Sequence, residues 1–82
     1  MKAAEYAVII EQQGKSFGAY VPDLPGCAVV GKSRRAVRAS IRKAIGMYLA
    51  DMVSDGEPVP PPKAQVVWVP QPRLPRTRGA AH

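Results

Sequence analysis

Cysteine and histidine are almost missing from this chain of 82 residues: Cys27 and His82 stand alone. One cysteine excludes an intrachain disulfide framework. One cysteine and one terminal histidine cannot assemble a zinc site within a single chain. A histidine at the last position is also a poor fixed general base, so Ser-His-Asp chemistry is not expected. No apolar run approaches the roughly 20 residues needed to cross a bilayer, and no membrane partner is expected. The start, Met1-Lys2-Ala3-Ala4-Glu5, is charged and lacks the apolar stretch of a signal peptide, so the expected location is the cytoplasm. Acidic residues are scarce as well, 6 against 12 basic ones, for a formal net charge of +6.

Size sets the next limit. A chain of 8.8 kDa should expose roughly 4,800 Å² when folded, against roughly 12,800 Å² when extended. That allows one small core and leaves an isolated monomer marginal, so self-association is expected on size alone.

Residues 5–11 read Glu-Tyr-Ala-Val-Ile-Ile-Glu. Tyr6, Val8 and Ile10 alternate with Ala7 and Ile9, and both faces are apolar at the centre. That suits a central strand covered on both sides, or a strand paired in an oligomer. Gln12-Gln13-Gly14-Lys15 reads as a hairpin turn, and residues 17–21 as a second strand. Pro22-Asp23-Leu24-Pro25-Gly26 is a rigid connector, with Pro25-Gly26 suited to the centre of a type II turn. Asp23 is expected to fix that turn by accepting backbone hydrogen bonds. Leu24, between two prolines, should point inward, and Cys27 should be a buried small hydrophobe. Residues 27–30 form a third short strand, broken by Gly31.

Ser33 then offers a helix N-cap. Val37, Ile41, Ala44/Ile45, Tyr48/Leu49 and Met52 recur at three and four residues, one apolar stripe over about five turns ending near Asp55-Gly56. Residues 57–62 have polyproline character. Residues 64–69, Ala-Gln-Val-Val-Trp-Val, read as a last strand, returning beside the first by a right-handed crossover. The expected architecture is α+β: a small β-β-β-α-β domain over residues 1–69, one helix packed on a mainly antiparallel sheet. Residues 70–82 form a basic Pro/Arg-rich tail that should not pack by itself. One helix leaves the other sheet face bare, and a second copy is the simplest cover, with contact expected around Tyr6, Val8 and Ile10 or the opposite partners of these residues.

The positive charge is clustered. Residues 32–43 hold Lys32, Arg34, Arg35, Arg38, Arg42 and Lys43, and the last ten residues hold Arg73, Arg76 and Arg78. At 100° per residue, Arg35, Arg38 and Arg42 fall within roughly 60° of arc beside the apolar stripe. Such clusters serve as a solvated helix face and tail, as a nucleic-acid contact, or as a contact for an acidic protein.

The string Pro22-Asp23-Leu24-Pro25-Gly26-Cys27, with Gly31, Ser33 and Ala36 after it, resembles the HicB family of antitoxin-like proteins. Ala44, the Tyr48-Leu49 pair and the Asp-Gly-Glu-Pro-x-Pro exit at residues 55–60 extend the resemblance to residues 5–69. The resemblance implies a partial ribonuclease H fold that self-associates and a role in covering the active site of a small RNA-cleaving toxin. Family repressors carry an added C-terminal DNA-binding domain, and about 13 residues after Val69 are expected to be too few and too proline-rich for one. Arg34 and Arg35 stand where the family pattern places acids after the helix cap.

A ribonuclease H-like site needs several carboxylates converging on Mg²⁺. The centre of the first strand, residues 7–10, offers none. No enzyme, cofactor or metal is therefore expected. Three readings remain open. One is an antitoxin-like inhibitor of an RNA-cleaving toxin. The second is a nucleic-acid-binding or regulatory homo-oligomer acting through Arg35, Arg38 and Arg42 with Arg73, Arg76 and Arg78. The third is a structural homo-oligomer. Dimers and tetramers are equally open.

Overall fold

The computed structural model describes residues 5–75. Three strands come first, β1 (Ile9–Gln13), β2 (Ser16–Tyr20) and β3 (Ala28–Gly31), and one long helix, α1 (Arg34–Ser54), comes after them. The strands form an antiparallel sheet in the order β1-β2-β3, with Ile9 opposite Tyr20 and Tyr20 opposite Ala28. The chain is thus a small α+β domain, an antiparallel sheet packed against one helix.

Register decides which side chains meet the helix. Phe17 and Ala19 face it from β2, and Val29 from β3, where they join the buried cluster of Ala19, Val21, Leu24, Cys27, Val37 and Ile41. Leu24 and Val37 have no exposed surface. The Pro-rich connector delivers Leu24 as expected. Gly26 has φ 82° and the Cys27 amide donates to the Leu24 carbonyl at 3.0 Å, a type II turn closed around Pro25-Gly26. Gly31 is required for a different reason. A Cβ there would stand 3.0 Å from Val37 Cγ1, so the helix can approach β3 only over a bare backbone.

The helix ends are set by local chemistry. Ser33 Oγ accepts the Ala36 amide at 3.0 Å. At the other end the Gly56 amide donates to Val53 O and the Glu57 amide to Met52 O, a Schellman closure. The helix has 21 residues, about 31 Å at 1.5 Å per residue. The strands have four or five residues, about 17 Å at most. The helix therefore outruns the sheet. Val37 and Ile41 in its first half are buried, whereas Ala44, Ile45, Tyr48 and Leu49 are only half-buried.

Two expectations are corrected. β1 is an edge strand and β2 is central; of the two alternatives that the double-sided apolar pattern of residues 7–10 left open, a central strand or a strand paired in an oligomer, the first does not hold within the chain. The last strand does not form: residues 64–69 belong to no sheet and all six are exposed, Trp68 to 90%. The sequence has β character, but the chain is fastened before it can reach an edge. Asp23 Oδ2 accepts the amides of Lys63 and Ala64, both at 3.0 Å. The Tyr6 hydroxyl donates to the Pro60 carbonyl. These bonds hold the proline segment across the end of the sheet, and the chain beyond Ala64 leaves the body. The radius of gyration is 17.5 Å, against roughly 12 Å for a compact chain of this length.

Candidate partner-binding groove

α1 lies over β2 and β3 more closely than over β1. The gap on the β1 side is an open groove of about 850 Å³. One wall comes from the first strand and the residues that lead into it: Tyr6, Val8 and Ile10, with Glu5 at the end. The other comes from α1: Ile41 and Ile45 low in the groove, with Arg35, Arg38, Ala39 and Arg42 around them.

The local sequence accounts for each wall. Period-two alternation puts Tyr6, Val8 and Ile10 on one side of the extended chain, and that side faces the helix. On α1, positions 38, 41, 42 and 45 recur at three and four residues and so share the flank next to the buried stripe. The outcome is an apolar floor under a basic rim, with three guanidinium groups and one carboxylate among the lining side chains. Arg35, Arg38 and Arg42 are exposed, and among the described residues no ion pair neutralises them. Neighbouring Arg34 turns elsewhere, with its guanidinium 5.2 Å from the centre of the Phe17 ring.

The expected site residues divide clearly. Arg35, Arg38 and Arg42 come together, and they meet Tyr6, Val8 and Ile10 in one groove. The latter three are half-buried on the helix side and do not form the bare face of the sheet. That bare face carries Ile9, Tyr20, Ala28 and Val30. Arg73 is exposed on the segment after α1 and is not among the residues that line the groove. Arg76 and Arg78 lie outside the described residues. Pro22, Asp23, Pro25 and Gly26 form the expected connector. Asp23 accepts two backbone hydrogen bonds, but from residues 63 and 64, not from its own turn. Ile41 and Ile45 were legible as core; their role as the groove floor depends on how far the helix sits from β1. The Tyr6 and Asp23 tethers had no local sequence signal, since their partners lie 54 and about 40 residues away.

Burial pushes the Cys27 thiol above its ordinary pKa, the direction that keeps it protonated and unreactive. Among the described residues no group of three or more His, Cys, Asp or Glu side chains could hold a metal ion. Among the same residues no helix is long and apolar enough to cross a membrane. Sheet, helix and groove together form one small module.

Comparison with known proteins gives the family of that module. Residues 6–74 match the family described as HicB_like antitoxin of bacterial toxin-antitoxin system, and the chain belongs to it. It is also 38% identical over 47 residues to a UPF0150 protein from Helicobacter pylori (strain J99 / ATCC 700824). The match spans 57% of this chain and 65% of that relative. No solved structure matches.

Proposed function

We propose that this chain is the inhibitory partner of a toxin-antitoxin pair, binding a small RNA-cleaving toxin directly in the cytoplasm. The observation that carries the reading is the family match across residues 6–74, nearly the whole described chain. The contact face under this reading is the β1–α1 groove. Its apolar floor gives a partner side chain a place to be desolvated, and its arginine rim selects a partner with carboxylates around that anchor. The same reading takes the sheet and helix as a partial ribonuclease H fold without its metal chemistry, residues 1–69 as the domain and residues 70–82 as an appended tail.

A second reading is favoured by one observation: three exposed guanidinium groups share one groove without ion-pair partners among the described residues. Under it the chain is a nucleic-acid-binding or regulatory protein. The test is capture of the tagged full chain from its host at near-physiological salt, with half the eluate treated with nuclease. A single small protein at stoichiometric yield, surviving nuclease, establishes the inhibitor reading. Nucleic acid alone, lost steeply with salt, establishes the second. The triple replacement Arg35→Glu, Arg38→Glu, Arg42→Glu should abolish either association; unchanged binding removes the groove from both.

A further inference from the structure

We infer that residues 63–73 form an arm that binds single-stranded nucleic acid, with Trp68 stacking on an unpaired base between a cation at either end. Trp68 is 90% exposed, more than any other large apolar side chain among the described residues. Its indole is thus open to stacking. Charge around it has one sign. Residues 58–82 contain Lys63, Arg73, Arg76 and Arg78 and no acidic residue. Lys63 and Arg73 stand five positions before and five after Trp68, and both are exposed. Arg76 and Arg78 continue the run in sequence, outside the described residues. An aromatic face between cations, with no acid near it in sequence, complements a polyanion whose bases are free to stack.

Geometry selects a single strand over a duplex. Duplex bases stack on one another and are closed to an indole, whereas those of a single strand are open to it. Reading a duplex in its major groove takes a helix or a two-stranded ribbon. This segment is neither: residues 64–69 belong to no sheet, and Pro70 and Pro72 oppose a helix. An extended chain at about 3.1–3.4 Å per residue puts Lys63 and Arg73 each roughly 16 Å from Trp68. Cations so far apart follow a backbone over several nucleotides.

The root of the arm is fixed. Asp23 Oδ2 holds the Lys63 and Ala64 amides, and the Tyr6 hydroxyl holds the Pro60 carbonyl. Prolines at 70 and 72 stiffen the far end. Less conformational freedom is lost on binding than an untethered tail would lose. No residue of the arm lines the groove. The inference rests on the nucleic-acid reading for the class of partner and on none of the groove arginines.

Trp68 is the only tryptophan, so its emission reports the contact directly. The experiment titrates the full chain with oligouridine, with oligothymidine and with a duplex of equal length. Both strands should quench Trp68, the tighter of the two identifying RNA or DNA, and the duplex should leave its emission unchanged. The logarithm of affinity should fall with that of salt at a slope of about −3 or shallower, four cations at most taking part. Trp68→Ala should weaken binding of a labelled strand about ten-fold or more, and Trp68→Phe should retain most of it. Lys63→Gln with Arg73→Gln should make the salt slope shallower by about 1.4. These variants alter exposed side chains outside every element, so the fold should survive, as circular dichroism checks. Trp68 quenching should persist in the triple variant Arg35→Glu, Arg38→Glu, Arg42→Glu. Emission that no strand quenches overturns the inference. So does equal binding of the duplex, unchanged affinity in Trp68→Ala, or an indole already blue-shifted and quencher-protected in the free chain. Nucleic acid captured through the groove arginines with Trp68 unquenched overturns it too, and leaves the groove reading standing.

Discussion

Leu24 shows how much one residue carries here. It is fully enclosed, and two prolines and a type II turn hold it in place. Leu24→Ala should cost about 3–5 kcal/mol, a large fraction of the stability of a domain this small; urea unfolding at neutral pH measures it. Cys27, in the same core cluster, is governed by desolvation. Its thiol pKa is raised by burial, so the folded state holds its proton to higher pH than the unfolded chain does. This contribution to stability is complete below the ordinary thiol range and is lost as pH rises through the raised value. Wild type should therefore lose stability in alkaline solution more steeply than Cys27→Ala, as read from unfolding midpoints across that range. Thiol reagents at mildly alkaline pH should label Cys27 only as fast as the domain opens.

At the scale of elements, α1 begins with a conflict. Ser33 caps it, but the first turn holds arginines and no acid. Positive charge at a helix N-terminus opposes the macrodipole. Arg34 has a local use over Phe17; Arg35 has none among the described residues and lines the groove. Arg35→Glu should accordingly raise stability by about 0.3–1 kcal/mol while weakening partner binding. Thermal melting and binding assays on one variant would show the two opposite signs, and a loss of both would mean that Arg35 supports the fold. The segment after α1 is an element only because of its tethers. Asp23→Ala should free residues 60–64, seen as faster exchange of the Lys63 and Ala64 amides, at a cost of about 1 kcal/mol. Asp23→Asn, which keeps an acceptor oxygen, should preserve part of that protection.

Across the whole molecule, most of the large exposed apolar side chains lie in the segment after the helix: Val59, Val66, Val67, Trp68, Val69 and Leu74. A helix of about 31 Å on strands of about 17 Å leaves its second half under-covered. An off-centre helix leaves the β1 side open, and a fastened exit leaves residues 64–69 in water. The groove, the free edge and the uncovered segment 64–69 all border one small sheet. Each leaves apolar surface that this chain does not bury by itself.

Local patterns were enough to read the hairpin, the Pro25-Gly26 turn, the inward Leu24, the Ser33 cap and the helix to Asp55, because each depends on residues a few positions apart. The arginine strip was equally legible, since helical spacing alone puts Arg35, Arg38 and Arg42 on one flank. Residues 64–69 mark where local reasoning stops: their alternation describes a strand, but pairing needs an edge within reach. Only the tertiary structure placed β1 at the margin, brought Tyr6, Val8 and Ile10 under the arginines, and let Asp23 and Tyr6 fasten the chain some forty to fifty residues away. Composition and period fix what a segment can become. Which neighbour it meets depends on where the remaining chain is anchored, and that is a property of the assembled fold.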